Sequence, residues 1–377
     1  MNCDYQNICG GCPLRTMNKE EYRAQKFAHF KDIVAHLNQK EVNLGAPIFI
    51  PDGNRRRAEM AFQYKKGNII LGFNAEQSHQ LVDIKSCPAL TPKLNHILPQ
   101  IREFLLKLCA IKVTEKIKTK FITTCISQGE IKLTEAANGI DFLLETEEKL
   151  SLEHRMEICD FSNKNPEIIR FSVGKKNTPA EVIAEKTKPY IDICQNRVLI
   201  PAGTFLQASD AGEKALIGLV MKYIGDLTGN IADLFCGIGT FSYPLAQNIK
   251  NKIVAVDSSA ELLDGFRRTV NFLMIPNIKI LQKNLFKYPL DADELKDFAA
   301  IVFDPPRAGA AAQIAQIAAM NQANKPQKIV AVSCNPHTFI NDANRLLDGG
   351  YALSEMTMVD QFVYSKHFEL VAVFKKN

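Results

Sequence analysis

Ala232-Asp233-Leu234-Phe235-Cys236-Gly237-Ile238-Gly239-Thr240-Phe241 is a glycine-rich turn set between an apolar strand pattern and a helical one. In an open α/β sheet, ligands bind at the carboxyl ends of the strands, where such a turn sits. Gly237 and Gly239 let the backbone approach a ligand and take angles that a Cβ forbids. The next apolar run, Ile253-Val254-Ala255-Val256-Asp257, ends in a carboxylate about twenty residues on, where a partner for a ribose hydroxyl is expected.

Strand and helix patterns alternate on both sides of this loop. Asn230–Phe235 reads as a strand and Gly239–Ile249 as a helix. Lys252–Asp257, Ile278–Lys283, Ala299–Asp304 and Lys328–Ser333 are short, β-branched apolar runs of the buried-strand type. Ala211–Gly225, Ala260–Phe272, Ala310–Met320 and His337–Leu347 read as helices. Two strands, Ala352–Met358 and Glu369–Phe374, come last with no room for a helix between them. The alternation predicts a doubly wound parallel sheet with helices on both faces, and the closing pair predicts one antiparallel strand. That layout resembles the Rossmann-like methyltransferases. Before Leu199 the texture differs. Short β-like stretches (Glu59–Tyr64, Ile69–Phe73, Phe121–Ser127, Gly129–Thr134, Phe142–Glu145) mix with helical patterns at Lys19–Leu37 and Pro92–Leu108, and Lys186–Val198 is the expected linker zone.

The spacing G-x-G lacks the third glycine of a dinucleotide fingerprint and follows Asp-Leu-Phe-Cys, which resembles methyltransferase motif I. S-adenosylmethionine is therefore the expected ligand. A dinucleotide, or a loop rich in glycine for packing alone, is the competing reading. Composition is that of an ordinary globular protein, with 46% hydrophobic and 23% charged residues among 377. No apolar run approaches the roughly eighteen residues of a membrane span. The start, MNCDYQNICGGCPL, lacks the basic and apolar regions of a signal peptide, so a cytoplasmic protein without a membrane partner is expected. A net charge of +5 permits nucleic-acid binding without demanding it. Ten cysteines in a reducing compartment are metal ligands, catalytic thiols or packing residues, not a disulfide framework.

Asp304-Pro305-Pro306-Arg307 follows the fourth strand of the C-terminal half. Two prolines fix a rigid corner that can hold an acid at the mouth of a site. Amino-group methyltransferases carry a similar acid-or-Asn-Pro-Pro motif, so the corner alone does not choose a substrate. The next strand delivers Cys334, in Ser333-Cys334-Asn335-Pro336, to the same sheet edge. Uracil C5 is too poor a nucleophile to attack a sulfonium methyl unaided. Addition of a thiolate to C6 makes an enolate whose C5 can do so, and a base must then remove the C5 proton. Cysteine suits both the attack and the departure. Glu369, in His367-Phe368-Glu369, is the candidate base, since partial burial raises a carboxyl toward a useful pKa.

With these motifs in place, the chain resembles the bacterial RNA uracil-C5 methyltransferases, in particular the iron–sulfur members acting on 23S ribosomal RNA. The resemblance covers nearly the whole chain and rests on Asp233–Thr240, Asp304–Arg307, Ser333–Pro336 and His367–Glu369, with Phe205-Leu206-Gln207 leading into the catalytic part. It implies that Gln207, Phe235, Gly237, Thr240, Asp257, Asn284 and Asp304 contact the cofactor, that Cys334 is the nucleophile and that Glu369 accepts the proton. One departure is visible. The family usually has Pro-His-Thr shortly before His-x-Glu, where this chain has Val363-Tyr364-Ser365.

Cys3, Cys9 and Cys12 cluster near the start, and Cys87 stands far downstream in Ser86-Cys87-Pro88. Three close thiols and one distant thiol can close a four-ligand site, with Gly10-Gly11 giving a tight loop; zinc and an iron–sulfur cluster both fit that spacing. The resemblance implies a [4Fe–4S] cluster, and implies ribosomal rather than transfer RNA, because the transfer-RNA branch lacks these cysteines. Cys109, Cys125, Cys159 and Cys194 show no ligand spacing. Arg55-Arg56-Arg57 is the densest positive run, suited to phosphates and bases, with Phe62 and Tyr64 as stacking candidates; a merely solvated face is the alternative.

The expected architecture is thus α/β. A Rossmann-like class I methyltransferase domain at 199–377 follows an N-terminal iron–sulfur segment and a β-rich central α+β domain for RNA at 1–198. No small β-barrel RNA-binding domain is expected ahead of the cysteines, and the chain is expected to act as a monomer on 23S rRNA. A transfer-RNA T-loop uridine, an exocyclic-amine target, or an iron–sulfur RNA-binding protein without methyl transfer are the alternatives.

Overall fold

The computed structural model describes residues 3–117, 120–176 and 178–377. The chain forms two compact units. The first takes the residues up to Thr16, Pro51–Ile191 and Leu199–Ser209. The second takes Met17–Ile50, Asp192–Val198 and Asp210–Asn377. The division differs from a cut at 198/199, because the helix Lys19–Ala35 and the short strands Asn43–Leu44 and Ile48–Phe49 pack into the second unit. The reason is burial. Phe30, Ile33 and Leu37 enter one core with residues of the C-terminal sheet such as Met356, Met358 and Leu370. The expected linker zone contains the strands Tyr190–Ile193 and Asn196–Leu199.

In the second unit, the strands Ile278–Gln282, Lys252–Asp257, Asn230–Leu234, Phe298–Phe303 and Lys328–Ser333 lie side by side, all parallel. Glu369–Lys376 then pairs antiparallel with Lys328–Ser333 on one side and with Tyr351–Asp360 on the other. Asn43–Leu44 and Ile48–Phe49 add parallel to the outer strand. The strands Asn230–Leu234 and Lys328–Ser333 are buried almost throughout, as continuous apolar runs must be in a sheet covered on both faces. The helices Ala260–Phe272, Ala311–Ala319 and Pro336–Asp348 fall where the apolar spacing places them. The helix after the glycine loop is shorter than its pattern, only Ser242–Ala246.

The first unit is built on a sheet whose order is Glu181–Glu185, Ile168–Gly174, Gly139–Glu145, Gln128–Ala136, Arg57–Lys65, Asn68–Asn74 and Leu81–Asp83. The helix Leu152–Lys164 crosses over between the parallel strands Gly139–Glu145 and Ile168–Gly174. Neither this helix nor the strand after it stands out in the sequence, because the helix is weakly patterned. Phe104, Phe142, Phe161 and Phe171 pack face to face and edge to face in the core.

Arg170 and Asp141 sit opposite one another on that parallel pair, with Nε–Oδ1 at 2.8 Å and Nη2–Oδ2 at 2.7 Å. Both are buried, so each charge depends on the other for its solvation. Asp141→Ala is expected to destabilise the protein by about 3–5 kcal/mol, because a guanidinium is left buried without its carboxylate. Asp141→Leu combined with Arg170→Met should recover most of that loss. Urea denaturation of the full chain followed by intrinsic fluorescence checks both.

Candidate active site

The glycine loop turns sharply after Leu234. Phe235, Gly237 and Gly239 all take positive φ, at 60°, 55° and 92°. At Gly239 an added Cβ would press into the Phe266 ring at 2.4 Å, so the loop closes down on the helix Ala260–Phe272. At Gly237 the same position meets nothing within 4 Å, which leaves an open cradle against the backbone. Asp257, at the end of the neighbouring strand, fixes the loop. Its Oδ2 accepts from the Gly237 N–H at 3.0 Å and its Oδ1 from the Ser259 N–H at 2.9 Å.

Acids gather at this edge. Asp233 is fully buried and accepts from Ser242 Oγ at 2.5 Å through Oδ2, while Oδ1 has no hydrogen-bond partner among the described residues. Burial pushes its carboxyl up to about 7, helped by the nearby charges of Asp304 and Asp257. A strand edge where Asp304 and Asp257 both act on the buried Asp233 suits a cation. The open backbone cradle and the orphaned buried oxygen fit the sulfonium cofactor, and Asp257 and Gly237 stand beside one another at that cradle. Thr240 is half-buried on the same loop. Asn284 shapes the following turn by accepting from the N–H groups of Phe286 and Lys287. That turn brings exposed Phe286 against Phe235, ring centroids 5.4 Å apart. Phe286 has no motif in the sequence to mark it, and only its place two residues after Asn284 hints at it.

Cys334 lies between the strand Lys328–Ser333 and the helix Pro336–Asp348. Asn335 caps that helix, Pro336 opens it, and Asn335 Nδ2 donates to the Arg307 carbonyl at 2.8 Å. The cap thus ties the Cys334 turn to the Asp304–Arg307 corner. The antiparallel register pairs Ser333 with Leu370, which sets Cys334 abreast of Glu369. Their charges interact. Burial first, then Glu369 and Asp304, push the Cys334 thiol up to about 11, against a lowering by Arg307. Glu369 is buried, and burial with the Asp304 charge lifts its acid to about 8. Gln361 Nε2 donates to Glu369 Oε1 at 3.1 Å, while Oε2 has no hydrogen-bond partner among the described residues. Asp304, Cys334 and Glu369 are thus brought together, with the exposed Arg307 in electrostatic range.

Gln207 and Arg55-Arg56-Arg57 belong to the first unit. Gln207 is buried in the first unit, where its carbonyl accepts from Arg56 Nε at 3.1 Å. Arg56 is itself buried and Arg57 donates to the Leu206 carbonyl at 2.8 Å, so these two brace the 205–208 segment from within. Arg55 is the exposed member of the run. Arg57 also lies 4.6 Å from the ring centre of Phe205, which is 65% exposed.

Cys3, Cys9, Cys12 and Cys87 all belong to the first unit and none is in a disulfide. Gly10 N donates to the Asn74 carbonyl and Lys85 N to Tyr5 Oη, which pins the cysteine loop near the chain that carries Cys87. Burial raises the Cys9 thiol and pushes that of Cys87 up to about 11, with added repulsion from Cys12 in both cases. As the side chains stand, the described residues include no group of three or more His, Cys, Asp or Glu that could hold a metal ion. No described helix is long and apolar enough to cross a membrane.

Comparison with known proteins agrees with this geometry. The family model for tRNA (Uracil-5-)-methyltransferase matches residues 18–377. An uncharacterized RNA methyltransferase of Brucella melitensis is 33% identical over 377 residues, covering 99% of this chain and 84% of its own. The 23S rRNA (uracil(1939)-C(5))-methyltransferase of Vibrio parahaemolyticus is 26% identical over 380 residues, covering 100% and 82%. The crystal structure of Pyrococcus abyssi tRNA (uracil-54, C5)-methyltransferase with S-adenosyl-L-homocysteine superposes with a TM-score of 0.70 at 22% identity, covering 97% of this chain and 85% of that one. That likeness shows the class I methyltransferase fold.

Burial raises the Glu369 acid from its ordinary 4.5 to about 8, so the folded protein holds that proton more tightly than the unfolded chain does. The stability it contributes is complete below pH 4.5 and is lost as pH rises through about 8. Glu369→Gln stays neutral throughout. Its Tm should exceed that of wild type by a margin that grows from about pH 5 to about pH 8 and then levels, as read by scanning calorimetry across that range. A margin that shrinks with pH would show that the carboxyl is not buried in its neutral form.

Proposed function

The chain belongs to the tRNA (uracil-5-)-methyltransferase family of S-adenosylmethionine-dependent RNA methyltransferases, and from that premise we propose that it methylates C5 of one uridine in 23S rRNA through a bond from Cys334 to C6. The observation that carries the chemistry is the Ser333–Leu370 register, which sets the thiol beside a buried acid. The Cys334 thiolate adds to C6, and the C5–C6 π electrons move into the C4 carbonyl as an enolate. Arg307 favours the thiolate through its charge. Phe235, Gly237, Thr240, Asp257, Asn284 and Asp304 would hold S-adenosylmethionine, which when bound would supply the methyl group that C5 takes. Glu369 then takes the C5 proton, the C5–C6 double bond re-forms, and the C6–S bond breaks to return the thiolate. A carboxyl near neutral in pKa suits this step, since it accepts a proton and gives it up again at working pH. The uridine must be unpaired or flipped out to meet the thiol.

For the RNA, the name of the Vibrio relative and the four cysteines support a ribosomal target. We propose that Cys3, Cys9, Cys12 and Cys87 hold a [4Fe–4S] cluster. The donor set, four free thiols in one unit with mutual repulsion between them, fits thiolate ligation, which relieves that repulsion. Of the arginine run, Arg55 is assigned to phosphate, with exposed Phe205, backed by Arg57, as a stacking surface for a base.

Cys334→Ala should reduce methyl transfer to background, whereas an exocyclic-amine methyltransferase would keep its activity. Wild type should form a denaturation-resistant complex with RNA carrying 5-fluorouridine, and Cys334→Ala should not. Mapping 5-methyluridine after reaction with unmodified 23S rRNA and with tRNA transcripts decides the target. Modification confined to the tRNA T-loop would overturn the ribosomal assignment. Protein purified without oxygen should be brown, with visible absorbance that Cys87→Ser abolishes. A colourless protein with bound zinc would rule out the cluster.

A further inference from the structure

The segment between the last two strands carries the residues around Glu369, and one face of the helix Lys19–Ala35 holds it. Tyr22, Lys26, His29 and Phe30 follow the spacing of neighbours on a helix surface. Lys26 Nζ lies 2.9 Å from Asp360 Oδ1, with both side chains only 1% exposed, and Nζ also donates to the His367 carbonyl. Tyr22 Oη donates to Asp360 Oδ2 and accepts from the Tyr364 N–H at 2.9 Å. The Tyr22 and Tyr364 rings stand 4.7 Å apart. His29 meets Phe368 edge-on at 5.3 Å and Phe30 meets it at 6.4 Å. The helix therefore grips the segment at its start, middle and end. Gln361, next to Asp360, reaches Glu369 Oε1.

Stability alone does not call for this arrangement. A buried ion pair can often be replaced by apolar residues of similar volume without loss, so its presence says little about stability. What charged hydrogen bonds add is direction, because they fix one geometry where apolar packing tolerates several. Tyr364 is held at a φ of 60°, unfavourable for a bulky residue, in the stretch Val363–Ser365 that departs from the family pattern. Contacts that over-determine a segment are what such a conformation requires. A carboxylate base also has two equivalent oxygens, and a base that works needs one of them held.

We propose that Tyr22 and Lys26, acting through Asp360, and Gln361, acting directly on the carboxylate, are positioning residues that orient Glu369 for removal of the C5 proton. The inference rests on the uracil-C5 reading above. It places the effect in the last step, release of the C6–S bond, and not in the attack or the methyl transfer.

The test uses the full chain with an RNA that wild type methylates. Lys26→Met, Tyr22→Phe and Gln361→Ala are each followed in a single turnover, quenched in denaturant. Two quantities are read, methyl groups transferred to RNA and protein still covalently joined to it. The expected result is methyl transfer close to wild type with an adduct that persists on the order of tenfold longer, the penalty of a slightly misplaced group. Resolution at the wild-type rate in all three variants would overturn the proposal. So would a proportional fall of methyl transfer and resolution together, which is what simple loss of folded protein produces. Should Lys26→Met unfold, Tyr22→Phe decides, because it removes one hydroxyl and keeps the ring. If wild type fails to trap 5-fluorouridine RNA, the uracil reading itself falls. If wild type traps it and the variants resolve normally, only the positioning role does.

Discussion

The pairing of Glu369–Lys376 between Lys328–Ser333 and Tyr351–Asp360 is the constraint on which the site depends. A strand inserted antiparallel among parallel neighbours brings its start to the edge where they end. Glu369 is the first residue of that strand and Cys334 the first after its neighbour, so the two meet with no loop between them to vary. A slip of one residue would turn Glu369 to the other face of the sheet. Register here is held by an almost wholly apolar core, in which Leu370, Ala372 and Phe374 are completely buried. Chemistry is thus fixed by packing several residues away from it.

Around that pair the main cost is charge. Asp233 and Glu369 each feel the charge of Asp304, and both are buried enough to hold protons near neutral pH. An isolated buried carboxylate is expensive, and like charges close together make it more so. The arrangement becomes favourable once a cation occupies the edge. A sulfonium beside the glycine loop would draw these acids down and, with Arg307, favour the thiolate.

Sequence showed the catalytic core well and its supports poorly, for physical reasons. The parallel strands are short continuous apolar runs, so the strand ends that carry Asp257, Asp304 and Cys334 could be placed from periodicity, while their proposed roles came from motifs and resemblance. The lack of room for a helix before the last strand gave its antiparallel direction, and the His367-Phe368-Glu369 motif singled out Glu369 at its start. The partners of these residues are long-range. Lys26 meets Asp360 across more than three hundred residues, and nothing local in Lys19–Ala35 marks it, since its polar residues read as a solvated face. The same blindness affected Arg55-Arg56-Arg57. As a run they look like one positive patch, but Arg56 is buried with its guanidinium on the Gln207 carbonyl while Arg55 stays exposed.

The cysteine loop presents the charge problem of the active site in a second form. Cys9 and Cys87 are partly buried and both are raised by burial and by Cys12, so these two thiols hold their protons. Arg15 lies beside the loop, with Nη2 reaching Cys12 Sγ at 3.9 Å while both Nη1 and Nη2 donate to Asp52. One shared guanidinium does not neutralise four thiolates. A cationic cluster core would offset part of that charge, since ligation as thiolate releases the protons. The loop then gains a bond to Cys87 that its few backbone hydrogen bonds to Asn74 and Ala75 do not provide. On this argument the proposed cluster has a structural task that needs no redox chemistry. It fastens a segment too short and too polar to bury a core of its own, and the helix that grips the catalytic loop begins three residues after Arg15, at Asn18 and Lys19.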